Sequence, residues 1–385
     1  MPTTPRIFLS ILLPALCCLA GCSTDVKIGA VISETGAVAP YGNQVTRGID
    51  LALEEVNAAG GFKGAPIQLV YRDDGTNAEQ GRQAVEELIS TEQVEIIIGA
   101  VSSTVTLEIA PICEKKKVLL LSPTSSAPRI SEAGEYIYRN YPSDILEGTA
   151  MADFARKIGV RQVVVLALDN EFGIGLSEVF TRRFESKSRK VLKTFRIAEG
   201  DTSSIPAMIE EIAQLNPQAV YLVAYVDLMG DILRQLREAG SEALVMGSGS
   251  VIDQLSADAG EAAQHFVYAQ PTFDPDSEEP VVKAFVEAFR NKYRREPDIF
   301  AAHGYDSMKI LHQAMLDTGF AFPDEIRRGL NNLSDYVGAA GRTQFDERGD
   351  VVRYPTVFVI ENGEPVTFEQ FEENGGMLNV PQVTR

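Results

Sequence analysis

The stretch Gly99-Ala100-Val101-Ser102-Ser103-Thr104 puts three hydroxyl side chains in a row where an apolar run gives way to a helical pattern. Hydroxyls and the free N–H groups of a helix start converge there at the positive end of the helix dipole, which suits capture of a carboxylate. Ordinary helix capping would use one of these serines and leaves the other hydroxyls unexplained. Other chemistry-bearing residues do not gather. His265, His303 and His312 are widely spaced, and the last two do not share a helix face, so no metal site is expected. No Gly-x-Ser-x-Gly elbow, nucleotide-binding glycine loop or Cys–His pairing occurs. Gly247-Ser248-Gly249-Ser250 lacks the dinucleotide spacing and reads as a flexible loop. Asp73-Asp74, just before Gly75, reads as a turn, since successive side chains point apart. Cys113, at helical spacing from Ile109 and Ala110, reads as a small buried residue. The expectation is a binding protein, not an enzyme, with no catalytic residue, metal or cofactor.

The elements that must position the hydroxyl run alternate between short apolar runs and amphipathic stretches, which is the βα signature of parallel sheets. Val26 to Ile32 predicts a strand, and Val45, Ile49, Leu53 and Val56 one helical face that stops at Gly60-Gly61. Strands at 67–72, 94–98 and 118–121 alternate with helices through Leu88 and from about Thr104 to Lys115. A second series opens with a helix whose apolar face is Leu146, Ala150, Phe154 and Ile158. Strands at 162–167, 191–195, 219–224 and 244–246 follow, with helices carrying Phe180, near 205–215 and at 228–239. Two series imply two α/β lobes. After Gln270-Pro271 come two long helices, about 279–294 and 300–318, and a hairpin turning at Glu361-Asn362-Gly363.

The chain has 385 residues, which suggests two domains. Its formal charge of −19 would be repelled by phosphate backbones, so nucleic acid is excluded as a partner. Arg6, the apolar run Ile7 to Ala20 and Gly21-Cys22 form a cleavable export signal over residues 1–21, too short to span a bilayer. The junction Leu19-Ala20-Gly21-Cys22 resembles the bacterial lipobox, in which the cysteine is acylated; Cys22 would then anchor the mature chain to a membrane. With Cys17 and Cys18 in the signal, only Cys113 is left as a free thiol and no disulfide framework exists.

Lys27-Ile28-Gly29-Ala30-Val31-Ile32, Thr35-Gly36, Tyr41-Gly42 and Glu55-Val56-Asn57-Ala58-Ala59-Gly60-Gly61 stand in the order found in the periplasmic leucine/isoleucine/valine-binding protein family. Gly99 to Thr104, Ser122-Pro123-Thr124-Ser125-Ser126, Arg139 through Asp144, Tyr225 with Met229-Gly230, Tyr305-Asp306 and Phe345 through Asp350 continue that order. The chain resembles this family from residue 26 to about 370. The resemblance implies a type I periplasmic-binding-protein fold, in which each of two lobes is a parallel sheet flanked by helices. Residues 26–142 plus 272–352 would form lobe one, 145–270 plus 353–372 lobe two, and 373–385 a tail. Three hinge crossings near Asp144, Pro271 and Val352 would let the lobes close on ligand.

By the same resemblance Ser103 donates to the ligand carboxylate, Ser126 adds a hydroxyl, and the Thr124 backbone offers a carbonyl to a ligand amine. Tyr41 and Phe300 from lobe one and Phe172 and Tyr225 from lobe two line the pocket, with Ser102 beside Ser103. Amino-acid binders of the family carry an acidic residue shortly after the strand at 244–246, and this chain has Gly249 there. Asp144, Asp227, Asp253 or Asp306 would have to substitute, or the ligand lacks an amine; the sequence leans towards an amine-free acid, with Gly247 and Gly249 leaving extra room. The implied role is capture of a small carboxylate-bearing ligand and delivery to the permease of an ABC importer, as a lipid-anchored monomer facing the periplasm or exterior. The other reading is a ligand-sensing module that partners a membrane receptor.

Overall fold

A computed structural model describes residues 26–382. The expected signal segment and Cys22 lie outside the described residues. Strand β1 (Val26–Ile32), helix α1 (Ala39–Ala58), β2 (Ile67–Asp73), α2 (Ala78–Ser90), β3 (Ile96–Gly99), α3 (Ser103–Lys116), β4 (Leu119–Ser122) and β5 (Ile137–Arg139) build a five-stranded sheet. Its order is β2-β1-β3-β4-β5 and every pairing is parallel. Ile96, Ile97 and Ile98 are all buried, as in a sheet covered by helices on both faces.

A second series follows: α4 (Asp144–Lys157), β6 (Gln162–Leu168), α5 (Glu171–Phe184), β7 (Lys190–Ile197), α6 (Ile205–Leu215), β8 (Ala219–Val223), α7 (Val226–Glu238), β9 (Leu244–Gly247), α8 (Gln254–Ala259) and β10 (Val267–Gln270). Beyond it lie α9 (Pro280–Tyr293), α10 (Ile299–Thr318), α11 (Pro323–Asn331), β11 (Tyr336–Gly338), β12 (Gly341–Thr343), β13 (Thr356–Glu361), β14 (Glu364–Thr367) and α12 (Phe368–Glu373). Strands β13 and β14 join the second sheet antiparallel, giving the order β14-β13-β10-β9-β8-β6-β7. The turn between them is tight, with Asn362 and Gly363 both at positive φ (54° and 84°).

Helices α9 to α11 return to the first sheet. Helix α10 lies along α1 because two glycines remove the side chains that would hold the backbones apart: a Cβ at Gly48 would stand 2.0 Å from the Ala301 carbonyl oxygen, and one at Gly304 2.3 Å from that of Val45. Tyr138 and Arg139 tie β5 to this return through Asn331 and Asp350, at 2.6 Å each. The chain therefore passes between the two sheets three times: after β5, after β10 and after β12.

Several elements escape the sequence pattern. Strand β5 is three residues long and ends in a buried arginine, so it carries no apolar run. Helices α8, α11 and α12 and the β11–β12 hairpin are likewise short. The expected apolar face of α4 is also the wrong face. Ile145 is exposed, Leu146, Ala150 and Ile158 are only half-buried, and the inward stripe is Asp144, Glu147, Gly148, Met151, Ala152 and Ala155, with Phe154 at its edge.

Candidate functional site

Parallel strands in both sheets end at one cleft, so the helices that follow them begin there. Helix α3 is one of the uncapped starts. Ser102 occupies its N-cap position yet makes no cap hydrogen bond, and its buried Oγ has no well-formed partner, only the Tyr225 hydroxyl nearby. Capping is therefore not what Ser102 does, and the first N–H groups of α3 are left to an outside acceptor. Ser103 Oγ accepts from the N–H groups of Ser126 and Ala127, both at 3.2 Å, which occupies its lone pairs and leaves its proton to donate. The Thr124 hydroxyl is spent on the Val101 carbonyl at 3.1 Å. That of Thr104 accepts from the Glu171 N–H of the second sheet's α5 at 3.4 Å.

These residues border a small cavity between the two sheets' loops. All eight residues named from the sequence line it: Ser102, Ser103, Thr124 and Ser126 from the first sheet's loops, Tyr41 and Phe300 from the paired helices α1 and α10, and Phe172 and Tyr225 from the second sheet's side. Val38, Val101 and Ser250 complete the lining. Sequence reasoning missed those three; two are small apolar residues with no chemical signature, and Ser250 sat in a segment read as loose. No lining residue carries a formal charge, so a charged ligand must be met by hydroxyls, backbone dipoles or groups just behind the wall.

The aromatic side is held in one arrangement. Tyr41 packs on Phe300 with centroids 4.8 Å apart and meets Tyr225 edge-on at 6.2 Å, while Phe172 stacks on Tyr225 at 5.7 Å. The Tyr41 hydroxyl donates to the Ser250 carbonyl (2.9 Å) and accepts from the Val226 N–H (2.8 Å), so it ties α1 to two loops of the second sheet. Burial pushes the Tyr41 and Tyr225 hydroxyls well above the usual tyrosine range, which keeps both neutral. At the rim Arg129 and Glu171 pair across the cleft at 2.6 Å. The lobes are closed on one another.

The segment after β9 differs from its sequence reading. Ser248 N–H donates to the Leu222 carbonyl (3.0 Å), its Oγ to that of Ala224 (3.2 Å), and Gly249 N–H to Glu147 Oε1 (2.9 Å), so the loop is pinned. Nor do its glycines widen the pocket. A Cβ at Gly247 would stand 2.3 Å from the Phe266 ring, and one at Gly249 would stand 2.4 Å from the Ala269 carbonyl oxygen and 3.2 Å from Glu147 Oε2. The space a side chain would need is already filled.

Of the four aspartates weighed as substitutes, Asp227 and Asp253 are exposed, and Asp227 is engaged by Gln254 at 2.6 Å. Both oxygens of Asp306 accept from the N–H groups of Ala339 and Ala340 (2.7 and 2.8 Å). Only Asp144 is buried with both oxygens unpartnered. Burial pushes it up to about 7, and burial with the neighbouring Asp144 charge pushes Glu147 well above the usual carboxylate range. Cys113 is buried and its thiol is pushed up to about 12 by desolvation, so it is no nucleophile. Among the described residues no helix is long and apolar enough to cross a membrane, and no three His, Cys, Asp or Glu side chains gather as a metal site.

Two α/β lobes closed over a small cavity, with hydroxyls and an open helix end on one wall and aromatic rings on the other, define a two-lobed solute-binding protein. The chain belongs to the periplasmic binding protein family, whose sequence profile matches residues 25–364. It is 28% identical over 353 residues to the leucine-, isoleucine-, valine-, threonine- and alanine-binding protein of Pseudomonas aeruginosa, covering 91% of this chain and 93% of that one. The crystal structure of a leucine-binding protein from Thermotoga maritima superposes with a TM-score of 0.82 at 29% identity, covering 89% of this chain and 97% of that one. An ABC-transporter solute-binding protein from R. palustris in complex with benzoate shares the fold, with a TM-score of 0.81 at 22% identity over 89% of this chain and 95% of that one. The family consists of extracytoplasmic binding proteins rather than enzymes.

Proposed function

We propose that the chain is an exported lipoprotein that captures a small carboxylate-bearing solute between its lobes and hands it to the permease of an ABC importer. Acylation of Cys22 after removal of residues 1–21 would hold it at the membrane as a monomer, and crossings near Asp144, Pro271 and Val352 would be the hinge. The observation that carries this reading is the start of α3: an N-cap serine that caps nothing, with its hydroxyl buried and unpartnered in the cavity wall. A carboxylate there would receive the Ser102 and Ser103 hydroxyls and the free helix N–H groups. The cavity is small, and relatives that bind leucine, isoleucine and valine support a ligand of that scale.

Calorimetry tests the site. A thermal-shift panel of amino acids, short acids, aromatic acids and amides identifies a binder, because a ligand that binds only the folded state raises its melting temperature. Ser103→Ala and Ser126→Ala should each weaken that binder by about 1.5 to 3 kcal/mol, roughly ten- to a hundredfold; Ser126→Ala should leave the melting temperature nearly unchanged, whereas Ser103→Ala should also lower it, because the N–H groups of Ser126 and Ala127 lose their acceptor. Wild-type affinity in both variants would place the carboxylate elsewhere.

A further inference from the structure

The strands of the first sheet run towards the cleft, so their first residues form the end of that lobe farthest from it. Followed back along the strands, the pairings of Gly29 with Ile97 and of Ile96 with Leu119 put Val26, Val94 and Lys117 on one level at that end. Apolar side chains stand out from it into solvent. Leu316, in the last turn of α10, and Phe320 and Phe322, just beyond that helix, are 51%, 46% and 45% exposed. The two rings lean on one another with centroids 5.1 Å apart, and both border one shallow depression with Val26, the first described residue of the chain. An exposed apolar patch with a polar rim marks a contact surface.

Basic side chains supply the rim. Lys63 Nζ lies 5.3 Å from the centroid of the Phe62 ring and 5.4 Å from that of Phe320. Lys115, Lys116 and Lys117, all exposed where α3 ends, are the only three consecutive basic residues in a chain of formal charge −19. Acids at this end are engaged, Glu92 by Lys27 at 3.1 Å and Glu135 by Arg327 at 2.9 Å, while Glu95 at the edge of the depression is exposed to water. Aromatic rings flanked by lysines suit the boundary between the headgroups and acyl chains of an anionic bilayer. The length of chain ahead of the patch names the same partner. Three residues separate Cys22 from Val26, so acylation of Cys22 would keep Val26 within about 14 Å of the lipid-bearing residue. On the reading of Cys22 as the anchor, we propose that this end of the first lobe lies on the membrane, with Phe320 and Phe322 in the interface and Lys63 and Lys115 to Lys117 over anionic headgroups. The cleft, at the other end of the strands, is left in the aqueous phase.

The chain contains no tryptophan, so Phe320→Trp or Phe322→Trp introduces a lone indole as a reporter. Both sites are half-exposed, and the melting temperature should hold. The mature protein is reconstituted through its acyl group into vesicles of phosphatidylcholine and phosphatidylglycerol whose acyl chains carry bromine. Indole emission from 320 and from 322 should shift to the blue and be quenched by the bromine. Tyr354→Trp, at a site 75% exposed between β12 and β13, should keep the emission of an indole in water. Changing Lys115, Lys116 and Lys117 together to Gln should lessen the quenching in these vesicles and leave it unchanged in phosphatidylcholine alone. Intact mass reads the anchor separately. An acylated protein whose indole at 320 and at 322 is as exposed as that at 354 overturns the docking face and leaves the lipoprotein standing; a mature chain without an acyl group removes the anchor and the docking with it. Shielding that appears only when the importer is added, with no quenching by brominated lipid, assigns the patch to a protein partner and also overturns the proposal.

Discussion

Helices α3 and α4 both begin at the cleft, and they meet it with opposite chemistry. The first turn of α3 has no acidic residue, its N-cap hydroxyl is unpartnered, and its N–H groups are free. Helix α4 is capped by Ser143, whose side chain accepts from the Ile145 N–H at 3.3 Å, and its first turn carries Asp144 and Glu147. Two helix starts with the same dipole thus present different poles: α3 leaves its positive end for an incoming anion, while α4 has filled its own with built-in carboxylates. Secondary structure sets the field, and the residues of the first turn decide which sign of charge is wanted.

The comparison breaks most completely if α3 is made to resemble α4. Ser103→Asp would satisfy the N–H groups of Ser126 and Ala127 and suit the helix dipole, so the fold should hold. A buried like charge would cost a carboxylate ligand several kcal/mol, and calorimetry should show affinity falling at least about a hundredfold. Retained affinity would mean that no anion sits at this helix. A second change acts on the α4 side. Gly249→Ala would force a Cβ to within 2.4 Å of the Ala269 carbonyl oxygen and crowd Glu147 Oε2. Thermal or denaturant unfolding should show a loss of about 1 to 3 kcal/mol.

The smallest effect sharpens the contrast through pH. Asp144 is raised from its ordinary 3.8 to about 7 by burial, so the folded chain retains a proton that the unfolded chain has lost between those values. The stability this contributes is fully present below about pH 4 and is lost as pH rises through about 7. In the ligand-free protein, Asp144→Asn should therefore lessen the fall in melting temperature between pH 5 and pH 8 by about 1 to 3 °C in scanning calorimetry. An identical fall in both proteins would show that Asp144 ionises in the folded state as it does in water.

What could be read from the sequence divides along the same line. The hydroxyl run before α3 is local: strand end, serines and helix start are neighbours in the chain, so spacing alone pointed to Ser102, Ser103 and Thr104, while the family resemblance supplied Thr124, Ser126 and the rings. The carboxylates of α4 behind the wall are not local. Glu147 meets Gly249 across 102 positions, and the register of α4 was misjudged because Leu146, Ala150, Phe154 and Ile158 make a plausible apolar stripe. Burying the adjacent stripe instead turned two carboxylates inward, which hydrophobic periodicity does not anticipate. The crowding behind Gly249 was equally hidden, since it depends on where β10 ends beside it.

The Tyr41 hydroxyl reaches only main-chain atoms across the cleft, the Ser250 carbonyl and the Val226 N–H. Short of a proline at 226, no exchange of side chain on the far lobe deletes either partner. Side chains of that lobe that border the cavity, such as Phe172 and Ser250, can change while the clasp stays in place. The contact that holds the two lobes together is thus indifferent to which side chains the far lobe carries, although Tyr41 itself borders the cavity.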